Sequence, residues 1–446
     1  MAHYPAYPQY SPDGFPISWE RKRLRFALIM NPSKSEIELN DSDLVSFVPM
    51  DAVGEYGGIR LNEEKELCEI GSGYTYFCDD DVVVAKITPC FENGKGALAS
   101  GLTNKTAFGT TELHVMRVSP EQLDPHFLFY LTISDLFRKI GESEMYGAGG
   151  QKRVPESFIK DFRAGLPSPD EQEVIARFLD FKTAQIDALI AKKKSLLDKL
   201  VEKRTALIGH AVTKGLDPSV PMKDSRVAWL GEIPAHWDVW KVTHGFGKIG
   251  SGTTPKSDNS VFYDGTIPWV TTSELRESVI FDTTQKITDE AVATHSALKI
   301  YPAGSLAIAM YGATIGRLGI LGVDATFNQA CCVFSDPVLF NIRFVYYWLW
   351  MRRPVLISLS NGGGQPNLSQ DDLKKIRIPI PDLDEQKEIV RFLDEKTSVV
   401  DEQAKKVEEV VARLLEYRSS LITNAVTGKI DVRGFEIPQS AEGLAS

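Results

Sequence analysis

A long stretch of this chain occurs twice without a gap. Gly149 to Asp217 aligns with Gly363 to Asp431 at one constant offset. Asp170-Glu171-Gln172 matches Asp384-Glu385-Gln386, Arg177-Phe178-Leu179-Asp180 matches Arg391-Phe392-Leu393-Asp394, and Ala211-Val212-Thr213 matches Ala425-Val426-Thr427. Loops accept insertions, whereas a packed helix in fixed register does not. An ungapped repeat therefore implies a rigid element used twice. Each copy follows a far less similar block, so the plan is block, repeat, block, repeat.

The repeats read as long helices. From Asp170 to about Ala211 there is no proline, and the only glycine is Gly209 near the end. Pro167 and Pro169, like Pro379 and Pro381, stand at the starts, where proline is tolerated, and acidic residues crowd the first turns. Gly215 with Pro218 ends the first copy and Gly428 the second. Seven-residue spacing selects Leu179, Ile186, Lys193, Leu200 and Leu207, with Leu393, Val400, Val407, Leu414 and Leu421 in the second copy. The other seam position is expected at Ile175, Lys182, Leu189, Leu196 and Lys203, and at Ile389, Lys396, Gln403, Val410 and Tyr417. Lys182 and Lys396 would then be register-setting polar residues on the seam. A helix of roughly 42 residues spans roughly 60 Å, longer than a small domain is wide. Two such helices with matching seams are expected to pair antiparallel, the connection between them being a whole domain. The competing expectation buries each helix on its own block.

The blocks share a frame. Phe15-Pro16-Ile17-Ser18-Trp19 parallels Ile233-Pro234-Ala235-His236-Trp237. Asp81 to Ala85 and Ser305 to Ala309 are β-rich runs that lead into polar, glycine-bearing loops, Lys86 to Gly96 and Tyr311 to Gly319. Short aromatic helices follow at His126 to Tyr130 and Phe344 to Trp348, and Gly-Gly-Gln precedes each long helix. The expected fold is α+β: two mixed α/β blocks joined by two long helices in an antiparallel coiled coil, with a pseudo-two-fold internal repeat. The expected divisions are 1–165, 166–217, 218–379, 380–432 and a tail, 433–446. A common frame with different loops suggests two sites that read different things.

Several functions are disfavoured. The 446 residues are 43% hydrophobic and 25% charged, ordinary for a soluble protein. Cys68, Cys78, Cys90, Cys331 and Cys332 form no CxxC pair, which favours reduced thiols and a cytoplasmic setting. The N-terminus has no apolar signal region, and the most apolar stretch, Tyr301 to Val323, is interrupted by glycines and reads as strand-turn-strand instead of a membrane span. Cys331-Cys332 is expected inside a strand. The GxGxxG match at Gly245, Gly247 and Gly250 precedes Ser-Gly-Thr-Thr-Pro and not a helix, so dinucleotide binding is not expected. No GxxxxGK[ST] loop occurs, the Asn31-Pro32-Ser33-Lys34 string lacks the proline and aromatic of an amino-methyltransferase tetrad, and the seven histidines do not pair at metal-ligand spacing. Net charge is −10; residues 1–165 carry 17 basic against 24 acidic side chains, residues 218–383 carry 15 of each. That balance runs against a simple nucleic-acid binder.

The repeat motifs resemble the specificity subunits of type I restriction–modification enzymes. Pro167-Ser168-Pro169-Asp170-Glu171-Gln172, the helix starts Ile175 to Thr183 and Ile389 to Thr397, and the Ile-Pro-x-x-Trp opening of the second block carry the resemblance over nearly the whole chain. One departure is Leu383, which stands where Pro169 does in the first copy. The resemblance implies that each block is a target recognition domain reading half of a bipartite double-stranded DNA site, and that the helices set the spacer. It implies methylation subunits carrying S-adenosylmethionine and adenine-N6 chemistry, and restriction subunits carrying ATP and magnesium. The chain itself would then hold no cofactor, metal or catalytic residue, and no membrane partner is implied.

Candidate DNA contacts follow from polar residues beside glycines, where backbone can approach a phosphate. In the first block these are Lys86, Thr88, Asn93 and Lys95, with Gln151, Lys152 and Arg153. In the second they are Thr253, Thr254 and Lys256; Thr271, Thr272 and Ser273; Tyr311, Thr314 and Arg317; and Gln365 with Asn367. Other readings stay open: a two-headed adaptor for protein partners, and an enzyme with an unrecognised site in one block.

Overall fold

The valine run Val82–Ala85 is wholly buried at the centre of the first sheet, as a strand covered on both faces must be. In the computed structural model, which describes residues 4–12, 14–148, 150–358 and 367–438, the chain divides into two units. One comprises Met1–Lys194 with Glu408–Ser446, the other Ser195–Val407. The boundaries fall inside both long helices and not at their ends, so each helix contributes one part to each unit.

In the first unit an antiparallel sheet runs in the order Leu28–Met30, Leu113–Val118, Val82–Ala85, Gly96–Leu98. A second sheet runs Glu64–Glu66, Leu44–Val48, Thr106–Gly109, Thr75–Cys78, with the middle two strands parallel. Helices Pro125–Thr132 and Asp135–Ser143 follow, capped by Asp124 on the Phe127 N–H and Ser134 on the Phe137 N–H.

The second unit repeats this plan. Its larger sheet runs Phe246–Gly250, Cys331–Pro337, Leu306–Ala309, Leu318–Leu321, Val279–Ile280. Its smaller sheet sets Tyr263–Val270 between Lys286–Ile287 and a parallel partner, Thr326–Phe327. Helix Ile342–Ser358 takes the place of the two shorter helices. The GxGxxG glycines lie along and beside strand Phe246–Gly250, and Cys331 and Cys332 are buried in their strand, as expected.

The long helices are Pro169–Lys214 and Leu383–Val426. In the first unit the start of one lies antiparallel to the end of the other: Phe178, Leu179, Ile186 and Ile190 share a core with Leu421, Ile422, Ala425 and Val426, and Arg418 Nε donates to Asp187 at 2.9 Å. In the second unit Ile208, Ala211 and Val212 share a core with Ile389, Val390 and Leu393, and Arg204 Nε donates to Asp401 at 3.0 Å. The two ion pairs are images of each other under the repeat offset. The expectation that each helix buries itself on its own block fails, because in each unit both helices contribute to one core.

One seam set is as the heptads predict. Leu179, Ile186, Leu200, Leu393, Val400 and Leu421 are buried, and Leu207, Val407 and Leu414 half-buried. The other set holds at its first position, where Ile175 and Ile389 are buried, and is displaced by one residue beyond it. Leu189, Leu196 and Val410 are exposed, as are Lys203, Gln403 and Lys396. The inward positions are Thr183, Ile190, Leu197, Arg204 and Ala211, and Thr397, Ala404, Val411, Arg418 and Ala425. Lys182 lies over the Phe181 ring and Lys396 pairs with Glu395, so neither sets the register from the seam.

The repeated Glu-Gln locks each block to its helix. Trp19 Nε1 donates to Glu171 at 3.0 Å and Trp237 Nε1 to Glu385 at 3.0 Å. Tyr7 and His236 give each glutamate its second partner. Gln172 accepts from the Asp124 N–H and donates to the Gln122 and Pro167 carbonyls; Gln386 accepts from the Asn341 N–H and donates to the Leu339 and Pro381 carbonyls. Buried amides with every arm engaged specify one geometry. Gly215 and Gly428 end the helices with φ of 77° and 68°, and a Cβ on either would press on Trp237 or Trp19.

Candidate nucleic-acid interface

In the first unit the candidate loops meet at one end of the sheets. Lys86 N–H donates to the Glu112 carbonyl, and the Lys86 carbonyl accepts from Val154 N–H. Ile87 bridges Arg153, and Thr88 donates through both its N–H and its hydroxyl to the Lys152 carbonyl. The loop after Ala85 is a compact helical turn: Phe91 N–H donates to Ile87, Asn93 to Pro89, Gly94 to Phe91 and Lys95 to Cys90. The fold thus brings Lys86 and Thr88 beside Lys152 and Arg153, although the two segments are far apart in the chain.

The second unit builds the same meeting point. Met310 N–H donates to the Ala330 carbonyl, Leu368 N–H to the Met310 carbonyl, and Tyr311 bridges Asn367. The loop between Phe327 and Cys331 ties in the Gly252–Thr254 segment and the end of strand Tyr263–Val270. Gly252 N–H donates to Asn328, Asn328 N–H to Val270, and Thr254 Oγ1 donates to Gln329 Oε1 at 2.6 Å. Trp269 Nε1 donates to the Thr253 carbonyl, and Thr271 Oγ1 lies 2.7 Å from Ser273 Oγ. Thr272 is half-buried in the same loop; Lys256, Tyr311, Arg317 and Asn367 are exposed, and Thr314 Oγ1 is turned onto the Tyr311 carbonyl. Gln365 lies outside the described residues.

Matching hydrogen bonds make the two ends equivalent position by position. Lys86 stands where Met310 does, Ile87 where Tyr311, Glu112 where Ala330, and Arg153 where Asn367. The frame is conserved between the units and the side chains are not.

Some candidates are already engaged. Arg153 holds Glu112 with two bonds, 2.9 and 2.8 Å, which keep that carboxyl below its ordinary range. Lys95 Nζ donates to the Met50 carbonyl, and Asn93 reaches Glu55 at 3.4 Å. Lys152 and Gln151 are exposed. Sequence reasoning missed Glu112, Asn328 and Gln329, although each lies in a short polar break between two β-rich runs. It also missed Tyr146, 65% exposed, which exchanges two backbone bonds with Arg153 across a bridge.

Comparison with known proteins agrees with this architecture. The family model for the type I restriction modification DNA specificity domain matches residues 65–199 and 234–411. The chain belongs to that family. It is 39% identical over 170 residues to the type I restriction enzyme EcoAI specificity subunit of Escherichia coli, a match covering 37% of this chain and 28% of that protein. It is 36% identical over 202 residues to the EcoEI specificity subunit of the same organism, covering 45% and 32%. The chain thus spans about a third or less of the length of these curated relatives. A chain from a study of complex assembly and conformational transition in the type I R-M system superposes with a TM-score of 0.75 at 18% identity, covering 95% of this chain and 100% of that one. No described helix is long and apolar enough to cross a membrane.

Proposed function

We propose that this chain is the sequence-reading subunit of a type I restriction–modification complex. Each unit reads one half of a bipartite double-stranded DNA site with the loops gathered at its sheet end. The observation that carries this reading is the equivalence of those ends: matching backbone hydrogen bonding sets Lys86, Ile87, Glu112 and Arg153 in one unit at the positions of Met310, Tyr311, Ala330 and Asn367 in the other, where Tyr311 and Asn367 are exposed and Met310 is buried. Base edges are told apart by side-chain donors and acceptors, so one frame carrying two sets of side chains reads two sequences. The chain is non-catalytic in this reading. Methylation subunits with S-adenosylmethionine and restriction subunits with ATP and magnesium supply the chemistry, in the cytoplasm, and the paired helices set the spacer.

Net charge of −10 leaves little nonspecific attraction for a polyanion. The isolated chain should therefore bind DNA weakly and lose that binding with salt, and bind tightly once methylation subunits join. Gel shifts with and without those subunits test it; tight, salt-indifferent binding by the chain alone contradicts it. A second test removes one heptad from each helix, Lys193 to Lys199 and Lys406 to Ala412, which keeps both interhelix ion pairs. A methylation map should then show both half-sites unchanged and the spacer altered. An unaltered spacer refutes the ruler.

A further inference from the structure

Each unit sends an arginine from the helix behind its sheet to a carbonyl of the loop proposed to read DNA. In the second unit Arg353 Nε donates to the Gly316 carbonyl at 2.8 Å, and its other edge pairs with Glu277. In the first unit Arg138 Nη1 donates to the Phe91 carbonyl at 2.6 Å, and its guanidinium lies over the Phe91 ring, 4.7 Å from the centroid. That carbonyl also closes the turn by accepting from Gly94 N–H.

The difference is the counter-charge. Arg138 is only 8% exposed, and among the described residues its partners are the Phe91 carbonyl and ring, with no carboxylate paired to it. Its Nε and Nη2 have no partner. Burial pulls its pKa down to about 10, with Tyr56 opposing the shift. A buried guanidinium with idle donors is costly, and an apolar side chain of the same reach would pack there at least as stably. Stability therefore does not explain the residue. Its one strong bond does something specific: it fixes the orientation of the turn that carries Thr88, Asn93 and Lys95. Gly141 leaves room for the arrangement, since a Cβ there would lie 2.4 Å from the Phe91 ring.

We propose that Arg138 is a specificity-positioning residue for the first half-site, acting through the Phe91 carbonyl and not by touching DNA. The proposal rests on the function given above. It separates two properties that a merely structural residue would move together. In Arg138→Met the midpoint of thermal unfolding should stay within about 3 °C of the parent, because an unpaired buried charge has been removed along with one hydrogen bond. Discrimination at the first half-site should fall roughly tenfold, while the second half-site keeps its full selectivity.

The experiment is a genome methylation map of cells carrying the complete complex, with the parent chain, Arg138→Met and Arg138→Lys, beside melting curves of the purified chains. Degenerate bases confined to one half-site in Arg138→Met, with partial recovery in Arg138→Lys, are expected. A sharp first half-site in Arg138→Met overturns the proposal. So does loss at both half-sites, or a melting point lowered well beyond that margin, since each would mark a structural role. A parental map without a two-part motif instead overturns the reading of function itself.

Discussion

The two units solve one problem with different chemistry. Both must hold a polar loop rigid at a sheet end, with one side chain of each loop, Phe91 or Ile315, set into the core. The second does so with an arginine–carboxylate pair, Arg353 with Glu277, each about a quarter exposed. The first uses a lone buried arginine on a single carbonyl. The frame around these loops is nearly invariant, down to Trp19 with Glu171 and Trp237 with Glu385. The contrast separates what holds the fold from what sets the loops, and the two can be attacked independently.

The largest effects should fall on the shared frame, and equally in both units. Trp19→Ala and Trp237→Ala each remove a buried indole that anchors a block to its helix. Each should cost about 3–5 kcal/mol. Denaturant melts that differ strongly between the two variants would break the equivalence of the units. The loop clamps should then diverge. Arg353→Met strands the Glu277 carboxylate and should cost about 1–3 kcal/mol, reduced from a fully buried pair by solvent access. Adding Glu277→Gln should recover part of it. If Arg353→Met proves as silent as expected for Arg138→Met, the contrast between the clamps is lost.

Smaller still are the twin ion pairs between the helices. Arg418 with Asp187 and Arg204 with Asp401 join a half-buried arginine to an aspartate that is more than half exposed. Double-mutant cycles should give coupling of about 0.5–1 kcal/mol at each pair, fading as salt rises. Coupling at one pair and none at the other would show that the repeat is symmetric in sequence but not in energetics.

Much of this was legible before any coordinates. The ungapped repeat fixed the helices, their caps and one buried seam, because leucine and isoleucine at seven-residue spacing have no other use at that length. Past Ile175 and Ile389 the second seam was misplaced because its true occupants include Thr183, Arg204, Thr397 and Arg418. Hydroxyls and guanidinium groups do not advertise an inward face, whereas Leu189 and Leu196, one position away, do so falsely. The loop clusters were half legible. Polar, glycine-bearing stretches marked Lys86 to Lys95 and Tyr311 to Arg317. The contributions of Glu112 and of Asn328–Gln329 depend on the parallel pairing of Leu44–Val48 with Thr106–Gly109 and of Tyr263–Val270 with Thr326–Phe327, which nonlocal topology alone creates. That Arg153 is held by Glu112 was likewise hidden, since residues so far apart in sequence give no local sign of contact.

The subtlest contrast lies one strand deeper. His114 and Cys332 occupy the same place, opposite Val84 in one sheet and Ile308 in the other. His114 is buried behind the first loop cluster; its Nε2 lies 2.9 Å from the Val154 carbonyl, which it meets as a donor, and its Nδ1 has no partner. Burial pushes its proton affinity below the ordinary value for histidine, against the opposing bond to the Val154 carbonyl, with Lys86 adding to the effect and Glu156 and Glu112 opposing it. The sign follows from linkage. With the folded value depressed, the unfolded chain binds more protons as pH falls below about 6.5, so the stability that neutral His114 provides is complete above that pH and drains away beneath it. Cys332, its thiol pushed up to about 12 by burial, stays neutral throughout. Hydrogen exchange at pH 7.5 and 5.5, corrected for intrinsic rates, should therefore show Leu113–Val118 losing protection while Cys331–Pro337 keeps it. His114→Gln should flatten the first response. Equal losses in both strands would assign the acid sensitivity to the shared frame and remove this last difference between the units.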